Sequence, residues 1–193
     1  MYLVHKAHGP LAEQIAGLLH DVSHTVFSHL ADVIFDHHSE TSSYQDDIHR
    51  WYLEKTDIPE ILARYGYSID DVMHKEGDFK ALEQDLPDLC ADRIEYLIHG
   101  GFIDGVLPHY KIQKILEALH FNDGRWYFTD IQRARDLALT ALYLNQTHFA
   151  APWNLKTYQL GGKMMKYALA HNLITSDELH FSQDMPIWKK LQA

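Results

Sequence analysis

Residues 16–35 read AGLLHDVSHTVFSHLADVIF, an apolar stretch into which His20, Asp21, His24, Ser28, His29 and Asp32 are set within thirteen positions. The apolar spacing here is helical. Leu11, Ile15, Leu18 and Leu19 fall at i, i+4, i+7 and i+8, and Phe27, Leu30, Ile34 and Phe35 repeat the pattern a few residues on. The polar cluster therefore falls at the end of one apolar helix and the start of the next. Adjacent His and Asp on a helix stand about 100° apart, close enough to converge on one cation, with His24 one turn beyond His20. Two acid–base groups and two metal-capable ligands are brought within reach of one point.

Working outward, the same period continues and the punctuation is legible. Asp57 with Pro59 reads as a helix start, Gly66 as a stop, and Ser68 with Asp71 and Thr175 with Glu178 as capping-box starts. A helix is expected from Asp85–Pro87, carrying Leu89, Ile94 and Leu97 and stopping at Gly100–Gly101, and another from about Tyr110 to Leu119. Asn122-Asp123-Gly124 between short aromatic runs reads as a hairpin turn near residues 118–129. Thr129 or Asp130 then caps a long helix through Leu144, and a further helix follows Pro152. The expectation is an all-α fold with at most one short β-hairpin, a single domain over residues 1–193. One core is expected to gather Leu18, Leu19, Phe27, Leu30, Leu89, Ile94 and Leu97.

The chain has 193 residues, long enough for one core without a disulfide or metal staple. Its 17 Lys+Arg against 27 Asp+Glu leave a net charge of −10, which argues against general affinity for nucleic acid or an anionic membrane. One cysteine, Cys90, makes no internal disulfide and no Cys-rich zinc cluster, so any metal must be held by His and carboxylate. It also points to a reducing compartment. No apolar run approaches the roughly 20 residues of a membrane span and no signal arrangement opens the chain, so a cytoplasmic protein is expected. HExxH, Walker A and GxGxxG patterns are absent from the sequence, which removes zincin, P-loop and Rossmann readings.

A His-Asp dipeptide taken alone is read as a helix-end cap. The segment DLPDLCADRIEYLIHGG, residues 85–101, changes that reading. Asp92, Arg93 and Tyr96 occupy i, i+1 and i+4 of an expected helix, so a carboxylate, a permanent cation and a phenol share one edge. A carboxylate beside Cys90 and Ala91 is costly unless something cationic pairs with it. His37-His38 followed by Glu40 is a weaker metal candidate, read as solvated histidines in a polar loop.

LLHDVSHTVFSH, followed some seventy residues later by DLCADRIEY, resembles the HD-domain metal-dependent phosphohydrolases, in particular the branch of deoxynucleoside triphosphate triphosphohydrolases. The resemblance implies that His20, Asp21 and Asp92 bind one divalent ion (Mn, Fe, Mg, Ni or Zn, undistinguished). It also implies that His24 acts at the scissile phosphate and that Asp32 supports it. Arg93 and Tyr96 match a phosphate-contacting cation and a nucleotide-side tyrosine, and His29 and Gln45 fall on the substrate side. The implied function is hydrolysis of a phosphate ester or anhydride of a small phosphorylated molecule, a nucleotide first. Homo-oligomerisation is left open.

Three positions depart from the family pattern. Its first metal histidine, in an RxxHS-like motif, would fall a few residues before Met1, so a chain truncated at its N-terminus, with the C-terminus open to the same reading, is expected. Gln45 stands where the family carries a histidine and cannot shuttle protons, although His49 lies one turn on. Gly100 replaces a sugar-contacting aspartate. The alternative from another class is a degenerate HD module that binds nucleotide or a partner protein without turnover.

Overall fold

The computed structural model describes residues 1–39, 42–73 and 78–192. In chain order its elements are α1 (Tyr2–Lys6), α2 (Leu11–Leu19), α3 (Leu30–Ile34), α4 (Tyr44–Glu54), α5 (Ile58–Arg64), α6 (Ile69–Val72), α7 (Ala91–Ile103) and α8 (His109–Ala118). Strands β1 (Leu119–Asn122) and β2 (Arg125–Phe128) follow, then α9 (Ile131–Leu144), a π-helical turn (Asn145–Phe149), α10 (Pro152–Ala170), α11 (Ser176–Phe181) and α12 (Asp184–Gln192). Among the described residues the fold is mostly α, with one antiparallel hairpin in which Leu119 faces Phe128. Asp123 and Gly124 turn it at φ of 50° and 75°, the left-handed pair that a two-residue hairpin turn requires.

The chain divides into two compact units. Met1–Leu19 and Asp70–Ala151 form the first, and His20–Ile69 and Pro152–Ala193 the second. In the first, Val4, Ile94, Leu119 and Trp126 lie in one buried cluster. A turn at Ala81–Leu82 is part of this cluster. The Glu13 carboxylate, itself buried, accepts the Ala81 and Leu82 N–H groups at 2.8 and 3.0 Å. The Ala81 carbonyl in turn accepts from Ala91 N and the Trp126 indole, both at 2.8 Å. Leu82 O accepts from Asp92 N at 3.4 Å, so this hub fixes the first turn of α7.

That anchoring corrects the expected start of α7. The helix opens at Ala91 and not at Asp85–Pro87, with Cys90 as its N-cap and the cysteine sulfur accepting the Arg93 N–H at 3.4 Å. Nor do Gly100 and Gly101 end it, since it runs to Ile103. A Cβ on Gly101 would stand 2.6 Å from Thr140 Cγ2 and 2.9 Å from Leu107 Cδ1. The glycine is there for close approach of α7 and α9, and overfilling such a contact typically costs about 1–3 kcal/mol.

In the second unit, α3 lies directly on α10 because Gly161 and Gly162 remove the side chains between them. A Cβ on Gly162 would fall 2.4 Å from Val33 Cγ1. Val26, Leu30, Ile34, Met165, Leu179 and Ile187 belong to this unit's core. The expected single core is therefore divided: Leu30, with Phe27 against it, belongs to the second unit, and Ile94 and Leu97, with Leu89 against them, to the first. Leu18 is 61% exposed, because α2 turns its Glu13, Ala16, Gly17 and Leu19 face inward. The caps read from sequence at Asp130 and Thr175 are present, the latter as a full capping box with Glu178. Among the described residues no helix is long and apolar enough to cross a membrane.

Candidate active site

The residues from His20 to His29 are not helical. They form a run of turns after α2 in sequence and before α3, and His24 N–H closes one turn onto Asp21 O at 3.2 Å. Convergence therefore arises from a turn where helical spacing was expected. Asp21 stands between two imidazoles, with Oδ2 3.4 Å from His20 Nε2 and Oδ1 3.4 Å from His24 Nε2. The hydrogen bond from His24 holds the Asp21 carboxyl below the usual carboxylate range, against some opposing burial.

Farther along the turn, His24 and His29 meet edge to face with ring centroids 4.9 Å apart. His29 Nδ1 lies 3.9 Å from Asp32 Oδ2. Asp32 thus reaches His24 only at one remove, and its other oxygen accepts the Tyr44 N–H at 2.7 Å, at the start of α4. The segment is strained: Phe27 and Ser28 both have positive φ, 59° and 48°. Such conformations cost about 1–3 kcal/mol each in residues with a side chain and persist only where surroundings over-determine them. Here Val26 N donates to Leu179 O at 2.9 Å and Phe27 N to the Asp184 carboxylate at 2.8 Å, so α11 and α12 hold the turn in place.

Ser23 is a site residue that sequence reasoning missed. Fully buried, its hydroxyl donates to Gln45 Oε1 at 2.8 Å and lies 2.8 Å from His49 Nδ1. Gln45 Nε2 donates to Asp46 Oδ1 at 3.0 Å, so both ends of the Gln45 amide are engaged. Burial pushes the His49 imidazole down from its ordinary range. Gln45 and His49 are one helical turn apart on α4, but their meeting with Ser23 is long-range and no spacing marks the hydroxyl. His37 is likewise tied down and not solvated, with Nε2 2.9 Å from Asp47 and Nδ1 3.6 Å from Asp32. Glu40 lies outside the described residues.

In the first unit, α7 presents Asp92, Arg93 and Tyr96. Asp92 lies in the first helical turn, where a carboxylate is favoured by the helix dipole. It shares its surroundings with Glu83 and Cys90, whose ligand-capable atoms and its own all lie within 4.8 Å of one another. The Arg93 guanidinium reaches back over the preceding loop. Its Nη1 donates to Asp88 O and its Nη2 to Gln84 O at 3.4 Å, while Nε is buried without a hydrogen-bond partner among the described residues. The sequence suggested a phosphate-contacting cation. The structure shows that side chain bracing residues 84–88. Tyr96 is 39% exposed and meets Phe149 edge to face at 5.8 Å.

Comparison with known proteins finds no matching family model and no matching solved structure. The chain is 34% identical over 181 residues to a Bacillus subtilis protein called YdhJ, described as uncharacterized; the match takes in 93% of this chain and 54% of that protein. It is 36% identical over 117 residues to the metal-dependent phosphohydrolase Cns2 of Cordyceps militaris, covering 61% of this chain and 33% of that one. The chain thus spans about half the length of the first relative and a third of the second.

Proposed function

We propose that this chain carries a metal-dependent phosphohydrolase centre of the HD type, in which His20, Asp21 and Asp92 hold one divalent ion and a phosphate ester or anhydride is cleaved. The observation that carries the reading is Asp21, a carboxylate kept ionised between two imidazoles on a strained, pinned turn. The similarity to a protein named as a metal-dependent phosphohydrolase supports the same chemistry.

The donor set fits such an ion: imidazole nitrogen and carboxylate oxygen suit hard to borderline divalent metals. When bound, the ion would polarise a phosphoryl oxygen and lower the pKa of bound water. His24, sharing Asp21 without serving as a ligand, delivers a proton to the leaving oxygen. His29 relays the influence of Asp32 onto the His24 ring, and Ser23 fixes Gln45 and His49 beside that turn. Arg93 contributes a permanent positive charge next to Asp92, which favours an anionic substrate. Nucleotides are the first substrate class within this proposal, and a reducing, cytoplasmic setting accords with the free, buried Cys90.

One observation favours the second reading, a module that binds without turnover: the Gln45 amide is held at both ends and cannot take up and release a proton at its position. Hydrolysis of a panel of phosphate monoesters and nucleoside phosphates, with Mn²⁺ and with chelator, decides between them. Turnover that chelator abolishes and Mn²⁺ restores is expected. A chain that retains the ion yet hydrolyses no member of the panel supports the binding module and contradicts the enzyme.

A further inference from the structure

Asp92, Tyr96 and Gly100 stand at i, i+4 and i+8 of α7 and so share one stripe of its surface. At Gly100 the stripe is bare backbone, and the space is taken by the buried Leu144, whose Cδ1 would stand 3.0 Å from a Cβ at that position. Directly after Leu144 the helix widens into the π-turn Asn145–Phe149, with Ala150 N–H bonding to Asn145 O at 2.9 Å, an i→i+5 step. A π-turn resets which residue faces a neighbouring helix, and such turns are frequent at functional sites. Here it brings Phe149 against Tyr96 with the rings at 87°. The turn is secured by His148, which pairs with the Asp104 carboxylate just beyond α7, and by the Thr147 hydroxyl, which donates to Tyr143 O at 2.7 Å. Both aromatic rings nevertheless stay open to solvent, Tyr96 at 39% and Phe149 at 51%.

A half-exposed aromatic pair, one helical turn from a proposed metal ligand and held by a dedicated irregular turn, is more than incidental packing. We infer that Tyr96 and Phe149 form the contact surface for a planar aromatic group on the substrate, with Phe149 a specificity-determining residue that the sequence motifs do not include. This inference rests on the proposed phosphohydrolase reading, which supplies the anion beside Asp92 and Arg93. The exposed neighbour of Tyr96 on this surface is the apolar ring of Phe149, which selects a ring face over a hydroxyl-rich group. His148 and Asp104 are positioning residues that act through Phe149.

The test compares binding of phenyl phosphate and inorganic phosphate by calorimetry in the Mn²⁺-loaded protein. The parent is expected to prefer phenyl phosphate by roughly three- to tenfold, the range of an added aromatic contact. Phe149→Ala should remove the preference and leave phosphate affinity unchanged, whereas Phe149→Tyr should keep it. A parent without preference, or a folded Phe149→Ala that retains it, overturns the inference. Preferential binding in a protein that hydrolyses no ester leaves the surface standing and defeats only the proposed reaction. Failure to bind either anion overturns both.

Discussion

His24→Ala is expected to lower phosphate-ester hydrolysis by about 10²- to 10⁴-fold, the range associated with a positioned general acid or base, while fold and bound ion are retained. The side chain is 20% exposed and contacts Asp21 through Nε2 and His29 through its ring. His20→Ala should instead lose the ion and turnover together. Steady-state rates at saturating Mn²⁺, metal content and circular dichroism of both variants separate the cases. If both variants unfold, the histidines are structural. If folded His24→Ala turns over like the parent, it has no part in proton transfer.

Glu13→Ala is expected to destabilise the protein by about 1–3 kcal/mol, because the buried Ala81 N–H loses its acceptor, while the Leu82 N–H keeps a second one, Phe79 O at 3.1 Å. For a chain of this size that corresponds to a Tm lower by roughly 2–12 °C. The consequence extends to the site, since the Ala81–Leu82 stretch that Glu13 holds also receives Ala91 N and Asp92 N. Glu13→Gln keeps an acceptor oxygen and should recover most of the loss. Thermal unfolding of both variants checks this, and an unchanged midpoint in Glu13→Ala would show that the strap contributes nothing.

Local signals in the sequence suffice where one or two residues decide the backbone. Asp123-Gly124 needs left-handed φ and makes a hairpin; Asp130 and Thr175 each cap their own helix. Readings fail where a distant element decides. Gly100–Gly101 looks like a helix stop, but its meaning lies in Leu107, Thr140 and Leu144, whose contacts with it periodicity does not show. Leu18 fits the apolar period, yet the buried face of α2 is set by Glu13, a charged residue whose partners lie at Ala81–Leu82.

The candidate site follows the same division. Residue types at His20, Asp21 and His24 point to the chemistry, because few arrangements place that many ligands and proton carriers together. Their geometry is not legible: the cluster is expected on helical spacing and instead occupies a turn, whose two positive-φ residues need Leu179 and Asp184 to hold them. Ser23 escapes notice because a buried hydroxyl has no pattern of its own; its role emerges only once Gln45 and His49 come beside it.

Titration of Mn²⁺ into the protein, followed by calorimetry and repeated with Asp92→Ala, bears most directly on the proposal that His20, Asp21 and Asp92 share one ion. The parent should bind a single ion per chain. Since loss of an outer-shell partner alone typically costs 10- to 100-fold in metal affinity, removing a direct ligand should weaken binding by at least about that much. An ion that Asp92→Ala holds as tightly as the parent would contradict the shared site.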